Sequence, residues 1–508
     1  MGLQLAVITI SLMLAVFCVA LDNTIMAVAI PKITDQFHAL DDVGWYGSSY
    51  LLTTCSFQLL YGKLYTLFSI KWVFLSALFV FKLGSLICGV APDSVTLIVG
   101  RAIAGLGSAG IFTGAMVTLA HTVAPAKRPM FFSMLGGMYG IASVAGPLMG
   151  GVFTDHATWR WCFYINLPLG GVKAIGLLTL LRLPAKPQTQ RKSLVATLKG
   201  LDPLGTVIFV PAIVCLLLAL QWGGVTYLWS SGRVIALFVI FALALLAFVG
   251  LQLFLGEDAT VPIGIARQRT IASASLFGLC IGGSFFTLIY YIPIWVVPSD
   301  PQRHRRPLRN QLPPMILSNV VGIIVSGALT TAFGYNAPFF LLSSGIMSLG
   351  AGLIITFTVD ISQAKWVGFL FLYGLGVGFG FQQGGVAAQA VLPLSQVSVG
   401  TAIVMFTQML GGSLFVSVAE NIFSKHLIAN IAALDIPGLS PEAVVAAGAT
   451  GFRALVGAED LPAVLVAYND ALVKVFQLAL ILGCLSLSGA VGVEWRSIRG
   501  KEIDMAAA

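Results

Sequence analysis

Charge is scarce in this 508-residue chain: Asp, Glu, Lys and Arg make up 9% of it, against 58% hydrophobic residues. Soluble domains carry about a quarter charged residues, and a mean hydropathy of +0.94 excludes one here. The five histidines are dispersed, with no spacing that would hold a metal or build a catalytic cluster, so neither a cofactor nor an enzymatic centre is expected. No GxxxxGK[ST] phosphate loop occurs, which disfavours ATP as a driving force. Seven cysteines, odd in number and mostly within apolar stretches, build no disulfide framework. No Asn-x-Ser/Thr sequon occurs either. The net charge of +8 does not mark a nucleic-acid binder, because the basic residues are spread among loops rather than gathered on one face. The apolar run at 3–20 has no basic residue before it, so it reads as a first span rather than a cleaved signal.

What the chain has in abundance is apolar sequence. A span takes about 20 residues, so fourteen would use ~280 and leave enough for short loops. Apolar segments predict an all-α integral membrane protein with helices near 3–30, 43–62, 72–91, 95–120, 130–153, 161–183, 202–222, 232–255, 271–296, 313–331, 337–358, 365–391, 399–424 and 469–493. With the N-terminus inside, fourteen Lys and Arg fall in inner loops and tail, against six in ordinary outer loops. That bias places both termini in the cytosol. The predicted organisation is a six-helix half at 1–183, a linker and two extra helices at 184–269, and a second half at 270–508. A long outer loop is expected at 426–468, where Ser440-Pro441-Glu442 has the form of a helix cap.

The stretch AGPLMGGVFTDHATWRWCFYINLPLG, residues 145–170, joins a Gly-Pro knot to an aromatic, basic turn. Pro147 inside a helix removes a backbone hydrogen bond. In lipid such a break persists only where other helices cover it. Gly146, Gly150 and Gly151 offer a flat surface for close packing. AGPLMGG resembles motif C of major facilitator superfamily antiporters. WRWCFYINLPLG, with Trp159, Arg160, Trp161, Asn166 and Pro168 in or beside it, resembles the signature that follows in the fourteen-span drug–proton antiporters, among them fungal toxin and multidrug efflux pumps. The resemblance implies a major facilitator fold of two six-helix pseudo-repeats plus two helices. It also implies a small-molecule substrate exchanged for protons by a monomer in the lipid bilayer, most naturally the plasma membrane, with a vacuolar or vesicular membrane as the alternative.

Ionisable residues within spans are functional candidates by default. Asp22 in LDNTIMAVAIP resembles the acidic position of motif D1, and the alternative is a hydrated carboxylate near the outer end of helix 1. Arg101 in LIVGRAIAGLGSAG resembles the arginine of motif B, with Ala104 where the family has Gln; Gly105 and Gly107 would let that helix pack closely. Arg101 would tune a carboxylate or bind a backbone carbonyl, and the alternative is a purely structural pair. Gln408 and Glu420, twelve residues apart, do not share one narrow helix face. Gln408 is a candidate substrate contact; Glu420 is a second protonation or gate candidate, or else a solvated rim residue. Gln382, Gln383 and Gln389 among glycines, with Tyr46, Tyr50 and Gln58 on helix 2, suit a large, mostly apolar ligand. Tyr46 equally suits an interfacial belt. GKLYTLFSIKW resembles motif A in Gly62, Leu64 and Lys71, but Thr66 and Leu67 stand where the family has Asp and Arg, so its charge latch is in doubt.

One stretch departs from the pattern. After Trp295 the sequence VVPSDPQRHRRPLRNQLPP carries four Arg and several Pro where helix 9 should end. It reads either as a basic outer loop or as a local frame or splice fault that would shorten helix 9 and inactivate the protein. The leading functional expectation is proton-driven export of amphipathic organic compounds. The rival from another direction is a proton-coupled importer of a nutrient or siderophore.

Overall fold

The computed structural model describes residues 2–37, 42–171, 200–224, 227–299 and 313–498. Among them every regular element is helical and no strand forms, as expected of a backbone that must close its hydrogen bonds within each lipid-crossing segment. In order they are α1 (Gly2–Phe37), α2 (Val43–Leu67), α3 (Ile70–Val90), α4 (Ser94–Thr122), α5 (Arg128–His156) and α6 (Trp161–Tyr164). Then follow α7 (Pro203–Trp222), α8 (Gly232–Leu255), α9 (Ile263–Ala266), α10 (Arg269–Ser299), α11 (Pro313–Phe333) and α12 (Ala337–Ile354). The last are α13 (Gln363–Phe381), α14 (Gln383–Val391), α15 (Val397–Ala432), α16 (Pro441–Gly451) and α17 (Leu461–Gly492).

Twelve stretches of the described residues are long and apolar enough to cross a membrane, not fourteen. The 25-residue α2 is absent from the twelve, diluted by its Ser, Thr, Tyr and Gln residues. Most of the expected sixth helix lies outside the described residues, as does the basic stretch at 300–312. Polarity follows position: α8 has a mean hydropathy of 3.1 with 11% of its window buried, whereas α10 has 1.7 with 67% buried. A helix facing lipid must be apolar all round, while one facing other helices gains from small and polar side chains.

One bundle is built from α1 packed on α5, and α4 held between α2 and α3. A second is built from α10 against α15 and α17, and α13 against α11 and α12. They meet along two seams, α2 on α15 and α5 on α11, and α7 leans on α2 with α8 outside it. Glycine permits the tight approaches. A Cβ on Gly105 would strike the Tyr50 carbonyl of α2, and one on Gly107 the backbone of Phe81 in α3.

The Gly-Pro knot divides unevenly. Gly146 lies against Thr24, whose hydroxyl donates to the Ala142 carbonyl at 3.0 Å, and Gly150 lies against Ile25 and Val28. Gly151 faces open space, so its expected packing role is corrected: it sits beside α1's contact line, not on it. The helix α5 continues through Pro147 from Arg128 to His156.

Several expected boundaries move. The helix α10 reaches Ser299 with Trp295 3% exposed and donating to Asn469 at 2.8 Å, so the expected shortening of helix 9 is not found. The expected single helix at 365–391 breaks at Gln382 into α13 and α14. The expected loop at 426–468 contracts, since α15 runs to Ala432 and α17 begins at Leu461. Within it α16 forms as read, the Ser440 hydroxyl accepting from the Ala443 amide.

The face carrying the N-terminus and residues 493–498, here the terminal face, is sealed. A Cβ on Gly62 would lie 2.6 Å from that of Ala402 across the α2–α15 seam, and Gly327 of α11 abuts Ser133 of α5. Lys63 donates to the Asp258 carbonyl at 3.1 Å. Close packing and this Lys63 strut are found at the α2 end, where Thr66 and Leu67 stand in place of the motif A charge pair.

Candidate functional site

A cavity of about 390 Å³ lies between the bundles on the side away from the terminal face. The first bundle contributes Asn23, Met26, Ser48, Leu51, Arg101 and Tyr139; the second contributes Phe286, Tyr290, Met409, Ser413, Ser417 and Glu420. Leu217 and Gln221 of α7 complete one wall, and Gln221 donates to Ser48 at 2.9 Å. The exposed lining surface is mainly apolar, with polar groups from Asn23, Ser48, Arg101, Gln221, Ser413, Ser417 and Glu420 set into it, a make-up suited to a large organic ligand.

Behind Arg101 the first bundle holds a buried ion pair with its supporting hydrogen bonds. Asp22 is 0% exposed and Arg101 1% exposed, and the guanidinium Nη1 donates to the Asp22 carboxylate. The second carboxylate oxygen accepts from Asn166 Nδ2 at 3.0 Å. Arg101 Nε donates to the Tyr46 carbonyl at 2.8 Å, and its guanidinium lies 4.4 Å from the Tyr50 ring centroid. Arg101 therefore binds both a carboxylate and a backbone carbonyl. Removing one partner of a buried pair leaves an uncompensated charge, at a cost of about 3–5 kcal/mol.

The expectation of a hydrated Asp22 is corrected: α1 continues to Phe37, so the residue lies well inside the helix. Tyr46 does not belong to an interfacial belt; it is 0% exposed, with its hydroxyl 2.9 Å from Ser94 Oγ. Asn166 belongs with the ion pair. Its neighbours in the signature hold the turn: Trp159 donates to Gln36 at 2.7 Å, Arg160 to the Gly89 carbonyl at 2.8 Å, and Trp161 is half-exposed with its ring edge to Tyr164. Pro168 is exposed, Leu64 is partly buried, and Lys71 begins α3.

The expected amide and tyrosine contacts do not line this cavity. Tyr50 lies behind Arg101, and Gln58 is buried and donates to Thr113. Gln383 donates to Thr330 at 3.2 Å and Gln408 to the Phe381 carbonyl at 3.3 Å. Gln382 and Gln389 are buried elsewhere in the seam. Of the expected substrate and coupling residues, Arg101 and Glu420 reach the cavity. Sequence reading missed Asn23, Tyr139, Gln221, Phe286, Tyr290, Ser413 and Ser417. A signal existed for α15: Met409, Gly412, Ser413, Val416, Ser417 and Glu420 recur at helical spacing on one face.

The Major Facilitator Superfamily profile matches residues 12–416. The Efflux pump aflT of Aspergillus parasiticus is 62% identical over 506 residues, covering 98% of this chain and 97% of that protein. The MFS-type transporter phomT of Diaporthe leptostromiformis is 54% identical, covering 100% of this chain and 86% of that protein. The MFS-type efflux pump MFS1 of Arthroderma benhamiae is 53% identical, covering 100% and 94%. Among solved structures, the human organic anion transporter MFSD10 superposes with a TM-score of 0.58 at 12% identity, over 94% of this chain and 99% of that one. The proton:xylose symporter XylE gives 0.59 at 13% identity, over 96% and 95%. At such identities these two speak for the fold alone.

Proposed function

The chain belongs to the Major Facilitator Superfamily, and within it we propose a proton-coupled antiporter that exports small amphipathic organic compounds. Efflux is supported by the names of its relatives and by the likeness of its Gly-Pro knot to that of antiporters. The observation that carries proton coupling is the buried Asp22–Arg101–Asn166 network against the cavity wall.

Protonating Asp22 cancels the charge that holds Arg101, leaving the arginine to the Tyr46 carbonyl and the Tyr50 ring. Arg101 is also a wall of the cavity, so proton and ligand act on the same side chain. Each entering proton supplies ~2.3 kcal/mol per 100 mV. Binding between the bundles, followed by their rocking, would deliver the compound to the other face. Glu420, on the opposite wall, would attract a cationic or hydrogen-bond-donating part of the ligand.

The test is dye efflux from proteoliposomes holding the full-length chain under an imposed pH gradient. Movement that runs down the proton gradient, dissipates it and stops with a protonophore supports the reading. Movement indifferent to the gradient and unaltered in Asp22→Asn overturns it.

A further inference from the structure

A second site lies on the sealed side, where Arg128 at the start of α5 meets Gln389 of α14 across the two bundles. Arg128 is 7% exposed; its Nε donates to the Val123 carbonyl at 2.9 Å, and no carboxylate pairs with it among the described residues. Gln389 is also 7% exposed, and neither its amide oxygen nor its amide nitrogen has a hydrogen-bond partner among the described residues. Both line a small void of about 10 Å³, together with Pro129 and Ile498. Buried charges are ordinarily paired and buried amides hydrogen-bonded. Here a guanidinium and a whole amide are left short of partners in one place.

The cover is a separate element. Beyond α17 the chain crosses the terminal face, the Ile498 amide donates to the Gly334 carbonyl at 2.8 Å, and the Ile498 side chain is 6% exposed against the first bundle's core. Ile498 thus closes a void whose other walls come from both bundles.

We propose that Arg128 and Gln389 form an entry site for the oxyanion of an incoming acidic amphiphile, a carboxylate or enolate, closed in this state by Ile498. Arginine supplies forked donors matched to a carboxylate, and the amide adds a donor for the same oxygens. When the α5–α11 seam begins to open towards the terminal face, Arg128 draws away from Ile498, which stays with the second bundle through Gly334, and an entering oxyanion bridges the widening gap between Arg128 and Gln389. The occupant is the transported compound of the reading above, yet its binding is read without transport, so either reading can fail alone.

The experiment measures thermal unfolding of the purified full-length protein titrated with 2-naphthoate and with its uncharged methyl ester. The acid should bind more tightly than the ester. Arg128→Gln should abolish that preference, Arg128→Lys should retain part of it, and Ile498→Ala should strengthen it by uncovering the site. Gln389→Leu should weaken acid binding about tenfold, as for a single hydrogen bond to a charged group. No acid preference in the unaltered protein, or one that survives Arg128→Gln in a folded variant, overturns the proposal. Repeating the titration in nanodiscs separates two sources of the oxyanion. A preference lost on adding phosphatidylserine to phosphatidylcholine assigns it to a lipid headgroup, and a preference kept assigns it to the substrate.

Discussion

The two walls of the cavity are built on different principles. On the first-bundle side, charge is fully buried and paired: Asp22 takes hydrogen bonds from Arg101 and Asn166, and Tyr46 and Tyr50 close the shell around the guanidinium. On the second-bundle side, Glu420 of α15 stands half-buried among Ser413, Val416 and Ser417, with no ion pair among the described residues. A carboxylate locked to an arginine can change protonation only by rearranging its neighbours, which ties the proton to conformation. A carboxylate at a cavity rim can bind a ligand or a proton with little rearrangement. In the function proposed here the difference separates coupling from recognition, and it can be broken by substitution.

The largest effect is expected on the buried side. Asp22→Asn should abolish gradient-driven efflux, because the amide cannot carry the proton, and should destabilise the protein by about 3–5 kcal/mol by leaving Arg101 without its carboxylate; proteoliposome flux and the melting temperature measure the two. Residual flux should no longer respond to pH. Gly105→Val should destabilise the protein by about 1–3 kcal/mol, since the new side chain meets the Tyr50 carbonyl; a lowered melting temperature in detergent checks this. Asn166→Ala should cost about 1–2 kcal/mol through the lost hydrogen bond to a charged oxygen, and should shift the pH dependence of efflux that Gly105→Val leaves in place. Glu420→Gln should change flux only about threefold, in keeping with one hydrogen bond or charge at a partly solvated rim, and mainly for cationic dyes. An effect as large as that of Asp22→Asn would abolish the proposed division. Smallest of all, Gly151→Ala should be neutral to within about 1 kcal/mol, while Gly146→Ala, whose Cβ would strike Thr24, should not.

The amides show where reading from sequence stops. Gln382, Gln383, Gln389 and Gln408 stand out in apolar text, and polarity alone suggests a ligand. In the fold the amide nitrogens of Gln383 and Gln408 donate to Thr330 and the Phe381 carbonyl, while neither amide atom of Gln389, beside Arg128, has a partner among the described residues. A polar residue inside a membrane announces a partner without saying which one. The break at Gln382 was equally hidden, because no proline marks it between α13 and α14. By contrast Asp22 and Arg101 were legible singly, since an isolated charge in hydrocarbon has few other reasons to be there.

Composition and local spacing therefore determined the class of the molecule: helical, membrane-crossing and without a metal or nucleotide motif, with the tight-packing surfaces of α4 and α5 already marked by glycine. Those are properties of a segment and its solvent, and a segment carries them wherever it lies. Tertiary structure alone decided that Asp22, Arg101 and Asn166 meet, that Glu420 faces them across a cavity, and that Gly151 faces nothing. Such contacts join residues 79 and 144 positions apart in the chain, and only the packing of whole helices sets distances on that scale.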